Sequence, residues 1–393
     1  FYRWGTYGAG IGGNPTATGV FTRWLYAEVS QPWGTIFIGR LGDGLPNNAG
    51  GLASLGYGPT WGDEFNYASP FDINGPTDGL AYNHDFGNGF GLAVFYAKDD
   101  ADPYLGVTAA TGAFPYLQTK DADRDRFGIE PRYQWDTGGI SLGLAYIRDM
   151  LPIEDDPGAG TLPFYGTEKA NVFLINPAFI QNWGAFSVHF EGAIAFGKWR
   201  GREWLNPGWD VLQEEKIRGL GLYLDFAYNY GAGDITLLSW YTSGNSYKNA
   251  GDGKTRDAVD MGDFAPFLVA YNAVTLGASV YSNDLTLDDA GHWGVGVLGN
   301  HSITDDISIN YGVGFFRLAG QNYRDQSRNL GWEIDLGASF QILDNLAFQT
   351  KFGYMFNGDA YKRDLAGNPL NPNIDPGSPK DTFDWVNVLA VTF

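Results

Sequence analysis

Cysteine is absent from this sequence of 393 residues, and charged residues make up only 18% of it. Without cysteine there are no disulfide bonds and no thiolate metal sites, and its absence agrees with an oxidising compartment such as a periplasm or an outer membrane. No run of 18 consecutive apolar residues occurs, so no transmembrane helix is predicted. The longest apolar stretch, FAPFLVAYNAV at 264–274, is too short and contains a proline.

Basic residues are also scarce, since 25 Lys and Arg face 45 Asp and Glu for a net charge of −20. Such a charge repels phosphates and predicts that nucleic acid is not a partner. The four histidines lack the spacing of paired zinc ligands, and neither G-x-S-x-G nor H-E-x-x-H occurs. The segment GAGIGG at 8–13 matches a dinucleotide fingerprint, but no helical pattern follows it. The sequence therefore predicts neither an enzyme nor a resident cofactor.

Aromatic residues (16%) and 56 glycines are abundant, and the apolar residues recur with a period of two. From Trp332 to Ile342 every second residue is apolar and those between are polar or small. After the short segment LDN at 343–345 the alternation resumes from Leu346 to Phe356. Alternation of this kind predicts a β-hairpin with one apolar and one polar face.

The same hairpin pattern recurs along the whole chain. Seven short turns are predicted, at 31–34, 87–88, 136–139, 181–184, 231–234, 304–306 and 343–345. Eight longer polar connections alternate with them, at about 9–17, 43–77, 100–123, 151–168, 200–214, 244–290, 319–328 and 358–380. With an opening and a closing strand, this predicts one all-β domain over 1–393, an antiparallel up-and-down barrel of about 16 strands.

The width of such a barrel decides which face meets water. Side chains cannot fill the interior of a sixteen-stranded barrel, so water is expected inside. The polar face is then the lumen and the apolar face requires lipid. Strands of about ten residues and aromatic residues near strand ends, such as Trp135 and Trp293, agree with a bilayer. The sequence therefore predicts a transmembrane β-barrel.

Two segments carry a resemblance to a known family. The chain ends on NVLAVTF (387–393), an alternating strand with a terminal Phe, as bacterial outer-membrane proteins do. FTRWLYAEVSQPWGTIFIGRLGDG at 21–44 resembles the general porins of Gram-negative bacteria, in which an Arg-containing strand, a short turn and a G-T-x-x-x-G-R strand follow one another. The matching residues are Arg23, Gly34, Thr35, Gly39 and Arg40.

The resemblance implies a multi-pass protein of the outer membrane, with short periplasmic turns, long extracellular loops and a homotrimeric assembly in contact with lipids and lipopolysaccharide. It also implies that the loop at 43–75 folds into the lumen as a constriction. Its acidic candidates are Asp43, Asp63, Glu64 and Asp72. In that family the Gly-Arg strand is usually the fifth, whereas here it is the third, so eighteen strands are the alternative count.

Ionisable residues on the lumen side of a strand are the candidates for function, because lipid penalises charge. In the strand 124–135 the alternation places Arg126, Glu130 and Arg132 on the lumen side. Together with Arg40 they are expected to form a charged wall opposite the acidic loop, and such a field would sort ions by charge. The simpler interpretation is that lumen charges only keep the channel hydrated.

A calcium site is a further hypothesis, because Asp121, Asp123 and Asp125 alternate as in a calcium-binding loop. The segment lacks the glycine and the terminal glutamate of such a loop, and solvated acidic residues are the alternative.

Three functions follow from these patterns. The leading one is a porin for passive diffusion of ions and small hydrophilic solutes. The second is a substrate-specific outer-membrane channel, in which the longest connection, 244–290, shapes the entrance. The rival from another class is a soluble acidic glycan-binding protein or glycoside hydrolase, which would use paired carboxylates.

Overall fold

The computed structural model describes residues 5–7, 21–41, 77–100, 124–149, 169–204, 210–246, 248, 254–255, 267–269, 290–321, 327–362 and 381–391. Within them lie seventeen strands and a 3₁₀ helix at Asp359–Lys362. The strands are β1 Gly5–Tyr7, β2 Phe21–Gln31, β3 Gly34–Leu41, β4 Thr77–Gly87, β5 Phe90–Asp100, β6 Arg124–Trp135, β7 Gly138–Asp149, β8 Lys169–Trp183, β9 Phe186–Trp204, β10 Asp210–Asn229, β11 Gly233–Thr242, β12 Lys254–Thr255, β13 His292–Ser302, β14 Ile307–Leu318, β15 Asn329–Leu343, β16 Leu346–Asn357 and β17 Thr382–Val391.

The sheet is an antiparallel meander. Each strand from β1 to β11 pairs with the next along the chain, β11 pairs with β13, and the order continues to β17. The two-residue β12 is the exception, running parallel to β10. All seven predicted tight turns are present, and the described residues contain sixteen strands besides β12, the number predicted. Among the described residues no ladder joins β17 to β1 or β2, so the seam that closes the barrel stays a prediction.

The two faces of the sheet have the polarity opposite to that of a soluble protein. In β15, the side chains of Trp332, Ile334 and Leu336 are 53%, 44% and 60% exposed, whereas Glu333 between them is fully buried. The same alternation of exposed apolar and covered polar side chains recurs in β6, β9 and β10. We call the exposed apolar side the outer face and the other side the inner face. An outer face of this composition requires an apolar solvent.

Aromatic side chains on the outer face form two rows. One crosses five neighbouring strands near the long connections, with successive ring centroids 4.9–6.4 Å apart: Tyr96, Phe127, Tyr146, Phe173 and Phe196. The other lies near the tight turns and includes Phe90, Tyr133, Trp135, Phe179, Phe186 and Tyr228. In β9 the rows are ten residues apart, about 33 Å along the strand. At a tilt of about 40° this gives a height of about 25 Å, the apolar band of an outer-membrane barrel.

Among the described residues, no helix is long and apolar enough to cross a membrane.

The inner face also carries apolar packing, which explains the apolar run Ile36, Phe37, Ile38 in β3. Phe37 is 1% exposed and its ring lies edge-on to Tyr26 at 5.9 Å, while Ile38 is 52% exposed on the outer face. The inner-face cluster to which Phe37 belongs also contains Tyr26, Ala81, Ala93, Phe95, Ala97 and Ala145. The strand is therefore apolar on both sides because one side faces this cluster and the other faces outward.

Gly128 in β6 provides a test of this inner-face packing. It is paired with Phe95, and a Cβ at position 128 would lie 1.9 Å from the Phe95 ring. We expect Gly128→Ala to destabilise the protein by about 1–3 kcal/mol, because overpacking forces the ring out of place. Urea unfolding in detergent measures this. Adding Phe95→Ala should make the glycine substitution nearly neutral; an equal cost in both backgrounds would contradict the contact.

Candidate functional site

The polar inner face is the candidate site, and strand alternation positions its charged side chains. Besides Arg126 and Glu130, the ionisable residues with inward register include four that are almost completely covered and three that are partly covered. The covered group consists of His189, Glu191, Asp225 and Glu333, and the partly covered group of Asp335, Lys351 and Asp384. Strand alternation by itself places each of them on this side, and their burial contrasts with the exposed apolar residues beside them.

β6 carries the predicted group of lumen candidates. Arg126 is 4% exposed and Glu130 is fully buried, whereas Phe127 between them is 46% exposed on the outer face. Arg132 donates a hydrogen bond of 2.7 Å from Nη2 to Oδ1 of Asn83 in β4. Because β5 lies between β4 and β6, this bond crosses a whole strand on the inner face. The three side chains thus line one wall, and their role in a constriction stays a prediction.

A second polar group lies where β9 meets β10. The register pairs His189 with Asp225 and Glu191 with Tyr223. His189 Nδ1 lies 3.2 Å from Asp225 Oδ2, and its Nε2 lies 3.8 Å from Glu191 Oε2. All four side chains are at least 90% buried. Alternation placed these residues on the inner face, but only the cross-strand register brings an imidazole between two carboxylates.

A third feature comes from the connection between β11 and β13. Residues Phe267, Leu268 and Val269 are 0%, 4% and 6% exposed and lie against the inner face. The Leu268 amide donates to Asp335 Oδ2 at 3.0 Å, and the Val269 amide donates to Glu333 Oε1 at 2.5 Å. We call residues 267–269 the lumen anchor. The sequence pointed to this connection as a candidate for shaping the entrance, but not to these three residues.

Glycines on the inner face make room for the anchor's aromatic ring. A Cβ at Gly296, Gly314 or Gly312 would lie 2.5, 2.6 or 3.4 Å from the Phe267 ring. These positions alternate with Val295 and Val313, which face outward. The glycines in β13 and β14 therefore give a flat surface on which a ring can lie. The sequence does not distinguish these three glycines from the many other glycines of the strands.

Arg40 and the acidic candidates are the other site residues predicted from the sequence. Arg40 lies in β3 and is paired with Leu25 and Asp78, two positions along from the outward-facing Ile38. Its lumen role stays a prediction. The acidic loop candidates, together with two of the calcium candidates, lie outside the described residues: Asp43, Asp63, Glu64, Asp72, Asp121 and Asp123.

Asp125, the third calcium candidate, has protein partners. Its Oδ1 accepts a hydrogen bond of 2.9 Å from the Tyr96 hydroxyl, and its Oδ2 lies 3.8 Å from Arg148 Nη1. Within the described part of the chain, no three His, Asp or Glu side chains form a group that would hold a metal ion. The calcium site stays a hypothesis for the segment 121–125.

Comparison with known proteins finds likeness in structure alone. No family model and no curated protein matches the sequence. Among solved structures, Pseudomonas aeruginosa OccK11 (OpdR) has a TM-score of 0.46 at 10% identity, covering 96% of this chain and 82% of that one. Pseudomonas aeruginosa OccK8 (OprE) has a TM-score of 0.44 at 13% identity, covering 85% and 76%. A porin has a TM-score of 0.37 at 14% identity, covering 80% of each chain.

These likenesses are in structure, at 10–14% identity. The geometry of the chain itself is more informative. Neighbouring strands pair in an antiparallel meander, and tight turns alternate with long connections. The outer face of the sheet is apolar and the inner face is polar. Two aromatic rows border the apolar band. That combination is the architecture of an outer-membrane β-barrel, and this chain has it.

Proposed function

We propose that this chain is a bacterial outer-membrane porin, a water-filled channel through which ions and small hydrophilic solutes diffuse passively. The observation that carries the proposal is the inverted polarity of the sheet. Leu336 and Trp385 are 60% and 66% exposed on the outer face, while Glu130, Glu191 and Glu333 are fully buried on the inner face. A soluble glycan-binding protein or glycoside hydrolase would place these groups the other way round.

The charged wall is the part of the channel that would act on solutes. Arg126 and Arg132 lie on the same strand face as Glu130, and the acidic loop at 43–75 is proposed to lie opposite them with Arg40 as a further wall residue. Charges of both signs in a narrow aqueous passage create a transverse field that orients dipolar solutes and sorts ions. The proposal assigns no chemical reaction to these residues.

Assembly and surroundings form the second part of the proposal. The apolar outer face would contact the lipids and lipopolysaccharide of the outer membrane, and part of it would contact other protomers of a homotrimer. The exposed Ile38 in β3 supports an apolar neighbour on that side. Bound calcium at Asp121, Asp123 and Asp125 is a lesser element of the proposal.

Planar-bilayer recording tests the channel directly. The purified protein should insert and give discrete conductance steps that rise linearly with voltage, and no single metabolite should block them. A heat-denatured sample is the control for contaminating pores. Protein that stays dispersed in buffer without detergent and gives no steps would refute the proposal.

A substrate-specific channel is the second candidate, and the lumen anchor favours it, because a segment lying on the inner wall leaves less room for unselective diffusion. The same recordings separate the two candidates. Saturable block of the ionic current by one class of solute would indicate a specific binding site, whereas unaltered current across sugars, amino acids and organic acids would indicate passive diffusion.

A further inference from the structure

We infer that the lumen anchor, residues 267–269 in the connection between β11 and β13, narrows the channel where it lies on the barrel wall, and that releasing the anchor widens the pore. The inference rests on the proposed channel function and identifies the segment that limits the channel. It places a narrowing on a different connection from the predicted loop at 43–75.

The first step is the polar attachment of the anchor. Successive backbone amides of Leu268 and Val269 donate to the carboxylates of Asp335 and Glu333, which are neighbouring inward-facing residues of β15. Hydrogen bonds to a carboxylate are roughly twice as strong as those between neutral groups. Because the amides belong to the backbone, the contact fixes the path of the chain and not only one side chain.

The second step is the apolar attachment. The Phe267 ring lies 5.1 Å from the Phe316 ring and 6.2 Å from the Trp240 ring, both 3% exposed or less. These aromatic side chains point toward the lumen from β14 and β11. Aromatic side chains on a wall that faces water add no hydrophobic stabilisation. On a wall covered by protein, the same side chains are removed from water and stabilise the fold. The apolar part of this wall therefore indicates a permanent cover.

The third step is the position of the anchor relative to β12. β12, at Lys254–Thr255, pairs with Lys216 and Ile217 of β10, beyond the point where the ladder between β10 and β11 ends at Gly221. The anchor then reaches β15, four strand positions from β10 in the sheet. Four interstrand spacings amount to about 19 Å. β12 and the anchor are thus two separate contacts of this connection with the wall, and the anchor, which lies on the inner face, occupies cross-section that solutes would use.

A designed disulfide tests the position of the anchor in a chain that has no cysteine. A Cβ at Gly353 in β16 would lie 3.0 Å from the Leu268 Cβ. Disulfides span Cβ atoms about 3.5–4.5 Å apart, so a small outward shift allows the bond. Oxidised Leu268→Cys with Gly353→Cys should form an intramolecular bond, seen as a mobility shift that a reductant reverses.

The matched control is Leu268→Cys with Gly337→Cys. Gly337 also faces inward in the neighbouring strand, but its nearest contacts are Lys351, Thr350 and Asn310. We expect this second pair to stay reduced. Equal cross-linking of the two pairs, or none in either, would overturn the anchored position, whatever the channel measurements show.

Conductance tests the constriction. Phe267→Asp places a charge against the Phe316 and Trp240 rings, so the anchor should leave the wall and the single-channel conductance should rise, by roughly twofold. Ser339→Asp adds the same charge on the inner face of β15 away from the anchor and should leave the step size near that of the wild type. The oxidised Leu268→Cys, Gly353→Cys channel should also conduct like the wild type.

The outcomes separate the inference from the proposed function. If the disulfide forms but Phe267→Asp conducts like the wild type, the anchor exists and is not a constriction, which overturns the inference alone. If the wild type forms no channel, the proposed function fails, while the cross-link still reports where the anchor lies. Cross-linking of the first pair together with a larger step in Phe267→Asp supports the inference.

Discussion

Leu336→Arg is expected to destabilise the protein by about 2–4 kcal/mol in lipid vesicles, because it places a charge near the middle of the apolar band. Leu336 is 60% exposed on the outer face, at the centre of β15 and opposite Phe352 of β16. An arginine there must either remain in hydrocarbon or bend toward the interface and draw water with it. Urea unfolding of the protein in vesicles measures the difference in the free energy of unfolding.

Ser339→Arg is the matched control, because Ser339 lies three residues further along β15 with inward register. Its charge would enter the aqueous lumen, so its effect on unfolding should be small. The two variants add the same residue to the same strand and differ in the face it occupies. If the outer face met water instead, Leu336→Arg would change stability by less than about 0.5 kcal/mol, as most surface substitutions do.

In the strands with a clear alternation, such as β15, the face that each residue occupies was predictable from the sequence. The period of two is a local property of an extended backbone, so the assignment of Glu333 to one side and of Trp332 and Ile334 to the other needs no knowledge of the neighbouring strands. The tight turns were predictable for a related reason, since each interrupts the alternation with Gly, Asn or Asp. Gly87, Gly184 and Gly231, at or beside three of these turns, have positive φ angles.

Contacts that depend on register or on long connections were not predictable. His189 and Asp225 are 36 residues apart, and they meet only because β9 and β10 pair in one register out of several that satisfy the alternation. The lumen anchor depends still more on tertiary structure. Phe267, Leu268 and Val269 resemble any short apolar run, and nothing in their local sequence indicates that Glu333 and Asp335 accept their backbone amides.

Arg40 shows how a family resemblance and a register can point in different directions. The motif match assigned it to the lumen wall, but its ladder partners are Leu25 and Asp78, in line with the exposed Ile38 and Leu80. Gly39 beside it has a φ of 130°, a backbone conformation that favours glycine. The lumen role of Arg40 stays a prediction from the motif. The charges of β6 are therefore better placed to test selectivity.

Replacing Arg126 and Arg132 together with glutamine is expected to shift the channel's preference toward cations by about tenfold in permeability ratio. A unit charge a few ångströms from a permeating ion contributes about 1 kcal/mol even in water, and 1.4 kcal/mol corresponds to a factor of ten. The double substitution leaves Glu130 on the same inner face and removes the positive charges on both sides of it in β6. Reversal potentials in asymmetric salt measure the ratio.

Arg148→Gln provides the comparison for this experiment. Arg148 lies on the outer face of the adjacent strand β7, where its side chain is 44% exposed and pairs with Asp125 at 3.8 Å. The substitution removes one positive charge beside Arg126 in the sheet, but from the outer face and not from the lumen, so the permeability ratio should stay at the wild-type value. High salt should reduce the shift in the double variant, because screening shortens the reach of wall charges to a few ångströms. A shift as large in Arg148→Gln as in the double variant, or none in either, would mean that β6 does not line the conducting path.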